Sequence, residues 1–271
     1  MTETRLYARF PAASFVSQAE FAEYCREEQS RLDTRYVHET SLATSDDVVV
    51  QRGTCAPCLR RAVFTSHTGR WEQLADRRRI PEWSDAMTCD CDDRLTNRAR
   101  ALVHFAESVA VLRRWTRLLL FGPPAPADRR LSALAASSAS IASLVPGEAA
   151  DGWRIEAEDA ACHLIVSAET LHRVPPLRAA FAEFRRVLAP GGSLVFTVPF
   201  RYRAARTTSR GDLPLTAGRL PAMYREPVHE IGWDVLDMLR AAGFGHAAAH
   251  GYWSNELGYL GSFNMILHAA L

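Results

Sequence analysis

Four of the six cysteines in this 271-residue chain fall into two close pairs, Cys55-Ala-Pro-Cys58 and Cys89-Asp-Cys91. Two such pairs supply four thiolates, the donor set of a tetrahedral zinc site with Zn–S of about 2.3 Å. Pro57 fits the tight turn that would aim the sulfurs of the first pair one way. Four protein ligands close the coordination sphere, so such an ion would be structural and not catalytic. Two other readings stay open. Cys55 and Cys58 could be a redox dithiol, which leaves the second pair unexplained, or the thiols could be unrelated. Cys25 lies in an amphipathic helical pattern and Cys162 in an apolar strand, and both are expected to be buried bystanders.

A second group of residues suits anion binding or proton transfer. The stretch RYRAARTTSR (201–210) carries Arg201, Arg203, Arg206 and Arg210. Arginine holds sulfate, phosphate or carboxylate through paired N–H groups, and it stabilises a leaving group as negative charge develops. The bland alternative is a solvated basic loop. His229, beside Glu230, is a candidate general base, against the reading of a surface histidine near a helix start. Glu169 and His172 follow an apolar strand; His172 is either a base or orienter, or a partly buried structural histidine. Tyr202, Tyr252 and Trp253 could wall an apolar pocket or be plain core, and Asn255-Glu256 either caps a turn or meets substrate.

Composition narrows the classes. With 48% hydrophobic residues the chain can bury one large domain, or one domain and a small module. A net charge of +1 excludes a protein-wide field for nucleic acid or an anionic membrane. All 32 basic residues are arginine, so no lysine Schiff base or lysine base exists. No apolar run reaches the roughly 18–20 residues that span a bilayer, and the N-terminus lacks a secretory pattern. A cytoplasmic protein is expected.

Periodicity supplies the elements that must position these groups. Residues 17–32 read as a helix opened by the capping box Ser17-x-x-Glu20, with Phe21, Ala22 and Cys25 on one face. Residues 44–95 read as a zinc-binding module behind an N-terminal helical segment (1–43), and 96–271 as the main domain, opened by a helix from Thr96 to about Arg114. There, strands at 118–122, 163–168 and 193–200 alternate with helices at 176–188 and 231–242, and two strand-like segments end the chain. Such alternation predicts an α/β fold with a doubly wound, mostly parallel sheet and a ligand crevice at the C-terminal strand edge.

HLIVSAETLHRVPPLRAAFAEFRRVLAPGGSLVFTVPF (163–200) resembles the middle of a class I S-adenosylmethionine-dependent methyltransferase: a strand, an acidic residue, a helix ending in Arg-Val-Leu, Pro-Gly-Gly and a strand. EIGWDVLDMLRAAGF and GYWSNELGYLGSFNMILHAAL are similar to the end of that fold, and CAPC…CDCDDRLTNRARAL resembles the zinc-bearing head of some members. The resemblance spans roughly residues 50–271 and implies a Rossmann-like methyltransferase fold. It also implies that Glu169, His172, His229 and Glu230 face the crevice, and that the arginine loop overhangs it.

The donor motifs depart from the family pattern. The Gly-rich loop after the first strand reads Gly122-Pro123-Pro124-Ala125-Pro126; proline removes backbone N–H groups, and only Gly122 remains as a cofactor-binding candidate. Glu148 is a late candidate for the ribose acid, and a Glu-His pair has become His172-Arg173. The expectation is therefore a methyltransferase-fold enzyme of small-molecule, secondary-metabolite biosynthesis that has lost S-adenosylmethionine as methyl donor. It would promote an intramolecular displacement or elimination, such as aziridine-type ring closure, on a small anionic metabolite. An active methyltransferase and a non-catalytic partner subunit are the alternatives, with a partner protein or homodimer compatible with each.

Overall fold

Apolar runs too short for helices and rich in Leu, Ile and Val make the central strands, each buried on both faces as parallel strands require. The structure, a computed structural model, describes residues 9–44, 48–67, 71–110, 117–134, 139–142, 144–146, 153–174, 176–209 and 227–271. In chain order the elements begin with β1 (Ala12–Phe15), α1 (Gln18–Glu27), α2 (Gln29–Ser41), β2 (Val48–Cys55), β3 (Arg60–His67), β4 (Trp71–Gln73) and β5 (Arg79–Pro81). There follow α3 (Trp83–Ala86), β6 (Met87–Cys89), α4 (Asn97–Ala110), β7 (Leu118–Phe121), α5 (Pro126–Leu134), β8 (Ala139–Ala142), β9 (Leu144–Pro146), β10 (Trp153–Ile155) and β11 (Cys162–Ala168). The chain continues with α6 (Leu177–Val187), β12 (Leu188–Thr197), β13 (Thr208–Ser209), β14 (His229–Glu230), α7 (Val235–Ala241), β15 (His246–Ser254) and β16 (Tyr259–Ala270).

The main sheet has seven strands in the order β1-β15-β16-β12-β11-β7-β8. β8, β7, β11 and β12 are parallel neighbours, whereas β16 runs antiparallel to both β12 and β15. β1, from the N-terminal segment, closes the far edge against β15. Alternate residues of one strand enter different cores, because side chains point to opposite faces with period two. Leu118, Leu120, Leu164 and Val166 pack with Ala101, Leu102 and Phe105 of α4. Leu119, Phe121, Ile165 and Phe196 pack with Phe181 and Phe184 of α6 and Leu236 of α7.

Local signals set the element ends. Ser17 Oγ accepts from the Glu20 amide at 3.3 Å, and Glu20 Oε2 reaches back to the Val16 amide at 2.9 Å. The helical pattern over 17–32 is two helices, broken at Glu28, and the second runs on to Ser41. Among the described residues, no helix is long and apolar enough to cross a membrane.

β2, β3 and β6 form a small antiparallel sheet. It docks on the β15–β16 turn, which lies at the C-terminal edge of the parallel strands. The Thr54 amide donates to Glu256 O at 2.8 Å. Gly258, at φ +62, lets the Phe64 ring lie where a Cβ would stand 2.3 Å from it, so no larger residue fits. Arg100 of α4 is fully buried and donates to Leu257 O and Gly258 O, both at 2.9 Å, with its guanidinium 4.0 Å from the Phe64 ring centroid. The small sheet, α4 and the edge of the main sheet are thereby one packed unit.

Candidate functional site

The four sulfurs of Cys55, Cys58, Cys89 and Cys91 lie within 4.8 Å of one another. Cys55 ends β2, Cys58 lies in the β2–β3 turn, Cys89 ends β6, and Cys91 follows it. Cys55, Cys89 and Cys91 are buried, and Cys58 is partly so. Hydrogen bonds to the Cys58 and Cys89 sulfurs, then burial, push Cys55 well above the ordinary thiol range. Bonds from Cys55 and Cys58 hold Cys89 well below it. The thiols thus compete to share protons in a space that suits one soft cation. The nearby charges match: Arg60 is held further protonated by its hydrogen bond to Cys91, and the Arg100 charge favours ionised Cys89.

Between this module and the main sheet lies a cavity of about 190 Å³. Glu82 and Ser84 form one wall, Arg98 of α4 another, and Pro199, Phe200, Arg201 and Tyr202 after β12 a third. Tyr252, Phe263 and Asn264 close it from β15 and β16. Arg98 Nη1 donates to Glu169 Oε1 at 2.6 Å and Nη2 to Asp85 Oδ2 at 3.0 Å, while its buried Nε has no hydrogen-bond partner among the described residues. Ser84 Oγ donates to Asn264 Oδ1 at 2.6 Å. Glu169 sits at φ +48, a left-handed conformation that costs a residue with a Cβ and recurs at functional sites. Burial raises its carboxyl even though Arg98 draws it down.

The residues singled out in the sequence divide between this cavity and elsewhere. Arg201, Tyr202 and Tyr252 line it, and Arg201 Nη2 also reaches Glu230 Oε1 at 3.3 Å. Arg203 and Arg206 lie outside the cavity lining: both are exposed on the turn that wraps the start of α7, where Asp234 accepts from the Thr207 amide at 2.7 Å. Arg210 and Glu148 lie outside the described residues. Trp253 Nε1 donates to the buried Glu39 at 2.7 Å, which also accepts from the Gly261 amide, so this indole docks α2. Asn255 Oδ1 is held by Gln51 at 2.6 Å and His38 at 2.8 Å, in the same junction.

His229 is buried, with Ser209 Oγ 2.8 Å from Nδ1 and Val174 O 3.1 Å from Nε2. Both ring nitrogens are occupied, and burial lowers its pKa. His172 is buried too; its Nε2 accepts from Arg173 Nε at 3.0 Å and its Nδ1 has no partner among the described residues. Arg98, Glu39, Ser84 and Asn264 were not legible as site residues. A local sign was the charged pair Arg98 and Arg100 beside the apolar positions Ala99, Leu102, Val103 and Ala106 of one helix.

Desolvation, with Arg173 and Arg98 adding to it, brings the pKa of His172 from 6.5 down to about 4. The native state therefore refuses a proton that the unfolded chain accepts. The stabilisation is complete above about pH 6.5 and is lost as pH falls toward 4, reaching about 2–3 kcal/mol. Urea melts of wild type and His172→Gln from pH 7 to 4.5 check this. The variant is expected to lose stability less steeply, by up to one proton, and equal slopes would remove His172 from the account.

At the end of β7, Gly122 takes φ +124, and a Cβ there would stand 2.2 Å from Thr170 Oγ1. Thr170, a buried threonine of the loop after β11, packs directly against this glycine, so no side chain fits at position 122. Pro123, Pro124 and Pro126 remove three of the neighbouring N–H donors. The residues present do not fit a donor bound there through backbone amides.

A family model described as a methyltransferase domain matches residues 128–196. No curated protein matches the chain. Among solved structures, an S-adenosylmethionine-dependent methyltransferase from Thermotoga maritima is similar at 14% identity over 64% of this chain and 93% of that one, with a TM-score of 0.36. Another from Mesorhizobium loti is similar at 16% identity over 58% and 91%, TM-score 0.36. The [4+2]-cyclase SpnF is similar at 21% identity over 59% and 64%, TM-score 0.35. The methyltransferase-domain match runs from α5 to β12, within the α/β region that carries the four parallel strands, and helices pack on both faces of that sheet.

Proposed function

We propose that the chain is a methyltransferase-fold enzyme that no longer methylates, and that it closes a ring or eliminates within one small substrate bound beneath a zinc-stapled module. The observation that carries the reading is the exchange of one space for another. Thr170 packs against Gly122 and three prolines remove N–H donors beside it, while a separate cavity bearing Arg98, Arg201 and Glu82 lies at the ends of β12 and β15. At about 190 Å³ it is smaller than the roughly 300–1,000 Å³ typical of sites for drug-sized ligands. The substrate is accordingly a small metabolite.

Charges of both signs line the cavity, which supports a substrate carrying an amine and an anionic leaving group. The amine lone pair forms the new bond to carbon, the carbon–oxygen bond breaks, and its electron pair departs with a sulfate or phosphate. Arg98 and Arg201 offset the developing charge, and the amine proton passes to Glu82 or water. The thiolates of Cys55, Cys58, Cys89 and Cys91 would hold zinc, whose closed coordination makes it structural.

Calorimetry of the zinc-loaded protein with S-adenosylmethionine and S-adenosylhomocysteine tests the reading, together with thermal melts in sulfate. No saturable heat from either ligand up to about 1 mM is expected, with a sulfate-dependent rise in melting temperature that Arg201→Gln reduces. Micromolar binding of either ligand would instead make the chain a working methyltransferase. Sulfate stabilisation that is unchanged in Arg201→Gln would remove the anion from the cavity.

A further inference from the structure

Three histidines of the main sheet stand apart from everything described above. His246 and His250 are four residues apart on β15 and so share one face of the sheet. In the β15–β16 register His268 pairs with Ala248, which sets it between the two on the neighbouring strand. One ring nitrogen from each comes within 4.8 Å of the others. Phe105 of α4 packs over this group, its ring 4.6 Å from His250 and 5.8 Å from His268. The cluster sits near the start of β15 and the end of β16, at the sheet edge opposite the crevice.

We propose that His246, His250 and His268 form a second metal site that binds a divalent first-row transition ion, with Zn(II) the natural occupant. Imidazole nitrogen is a suitable donor for zinc, copper and nickel, and three histidines leave a fourth position for water or a small ligand. Two neighbours act as outer supports. Ser14, opposite His250 across the β1–β15 ladder, lies 2.8 Å from Nδ1 of that ring. With Nδ1 engaged, the buried Nε2 of His250 has no hydrogen-bond partner among the described residues, an orphan that a metal would satisfy. Ser193 Oγ lies 3.3 Å from His268 Nε2.

The electrostatics agree with this geometry. Burial brings His250 down to about 4 and His268 down to about 3, with neighbouring histidines adding to both. At neutral pH the two rings are uncharged, so no proton competes for the lone pairs. Access runs inward from His246, which is exposed, through half-buried His250 to His268, which is 9% exposed.

Zinc content after dialysis against excess Zn(II) tests the site, by mass spectrometry of the full chain and its variants. The His246→Gln/His250→Gln protein is expected to hold one equivalent fewer than wild type. Cobalt(II) loading then separates the two sites, since thiolate-to-cobalt absorption reports the cysteines and is expected unchanged in that variant. His246→Ala, which alters only an exposed side chain, is expected to weaken the histidine-bound equivalent by at least the roughly tenfold that a lost outer-shell partner costs. Equal zinc content in wild type and the double variant overturns the proposal, whatever the cysteines hold, and so does an unchanged affinity in His246→Ala.

Discussion

Cys89→Ser is expected to lose the zinc equivalent of the cysteine cluster and, with it, the fold of the β2–β3–β6 sheet. Structural zinc contributes apparent binding energies of about 10–16 kcal/mol in small zinc-dependent folds, as much as the whole stability of a typical domain. Cys89 is buried, pairs with Phe64 across the β3–β6 ladder and bonds through its amide to Leu95 O at 3.2 Å. A hydroxyl at this position keeps the shape and removes the soft donor. The damage spreads because Glu82 and Ser84 of the cavity wall, and Asp85 behind Arg98, lie between the cysteine pairs in sequence. Hydrogen exchange should show protection lost over residues 48–67 and retained over residues 162–197. Full zinc content, or unchanged protection over 48–67, would show that the cluster is not what holds the module.

Arg100→Met is expected to cost about 2–4 kcal/mol, since two buried carbonyls are each left without a hydrogen-bond donor. The methionine fills similar apolar volume, so the loss reports polar contacts. Two carbonyls, Leu257 O and Gly258 O, lose their charged donors, and the thiolates lose a neighbouring positive charge. Arg100→Lys should recover only part of the loss, because one ammonium cannot reproduce the planar fork that serves both carbonyls and lies on Phe64. The midpoint of urea unfolding at constant zinc measures both variants. A shift below about 1 kcal/mol for Arg100→Met would mean that water satisfies the β15–β16 turn equally well.

The central α/β region was legible because each of its elements is locally consistent. Residues 177–187 repeat apolar side chains at helical spacing and form α6, whose inner face is Leu177, Ala180, Phe181, Phe184 and Val187. Leu118–Phe121 and Cys162–Ala168 are apolar runs too short for helices, and they are central strands. The N-terminal segment was less legible. Ala12–Phe15 carries no strong strand signal, and it is a strand because the free edge of β15 offers it a partner.

Spacing along the chain by itself determined the cysteine grouping, since two pairs on tight turns need only one closure to meet. It also determined that three positions just after Gly122 lack an N–H donor, because proline has none in any fold. The tertiary structure alone decided the rest. Arg98 meets Glu169 across 71 positions of sequence, and Trp253 meets Glu39 across 214. Whether a histidine such as His229 is available to a substrate depended on which carbonyl and hydroxyl folded against its two nitrogens. Residue type sets what a side chain is able to do, while burial and partners set whether its lone pairs and charges remain free to do it. Those come from long-range packing of strands and helices, which no local pattern encodes.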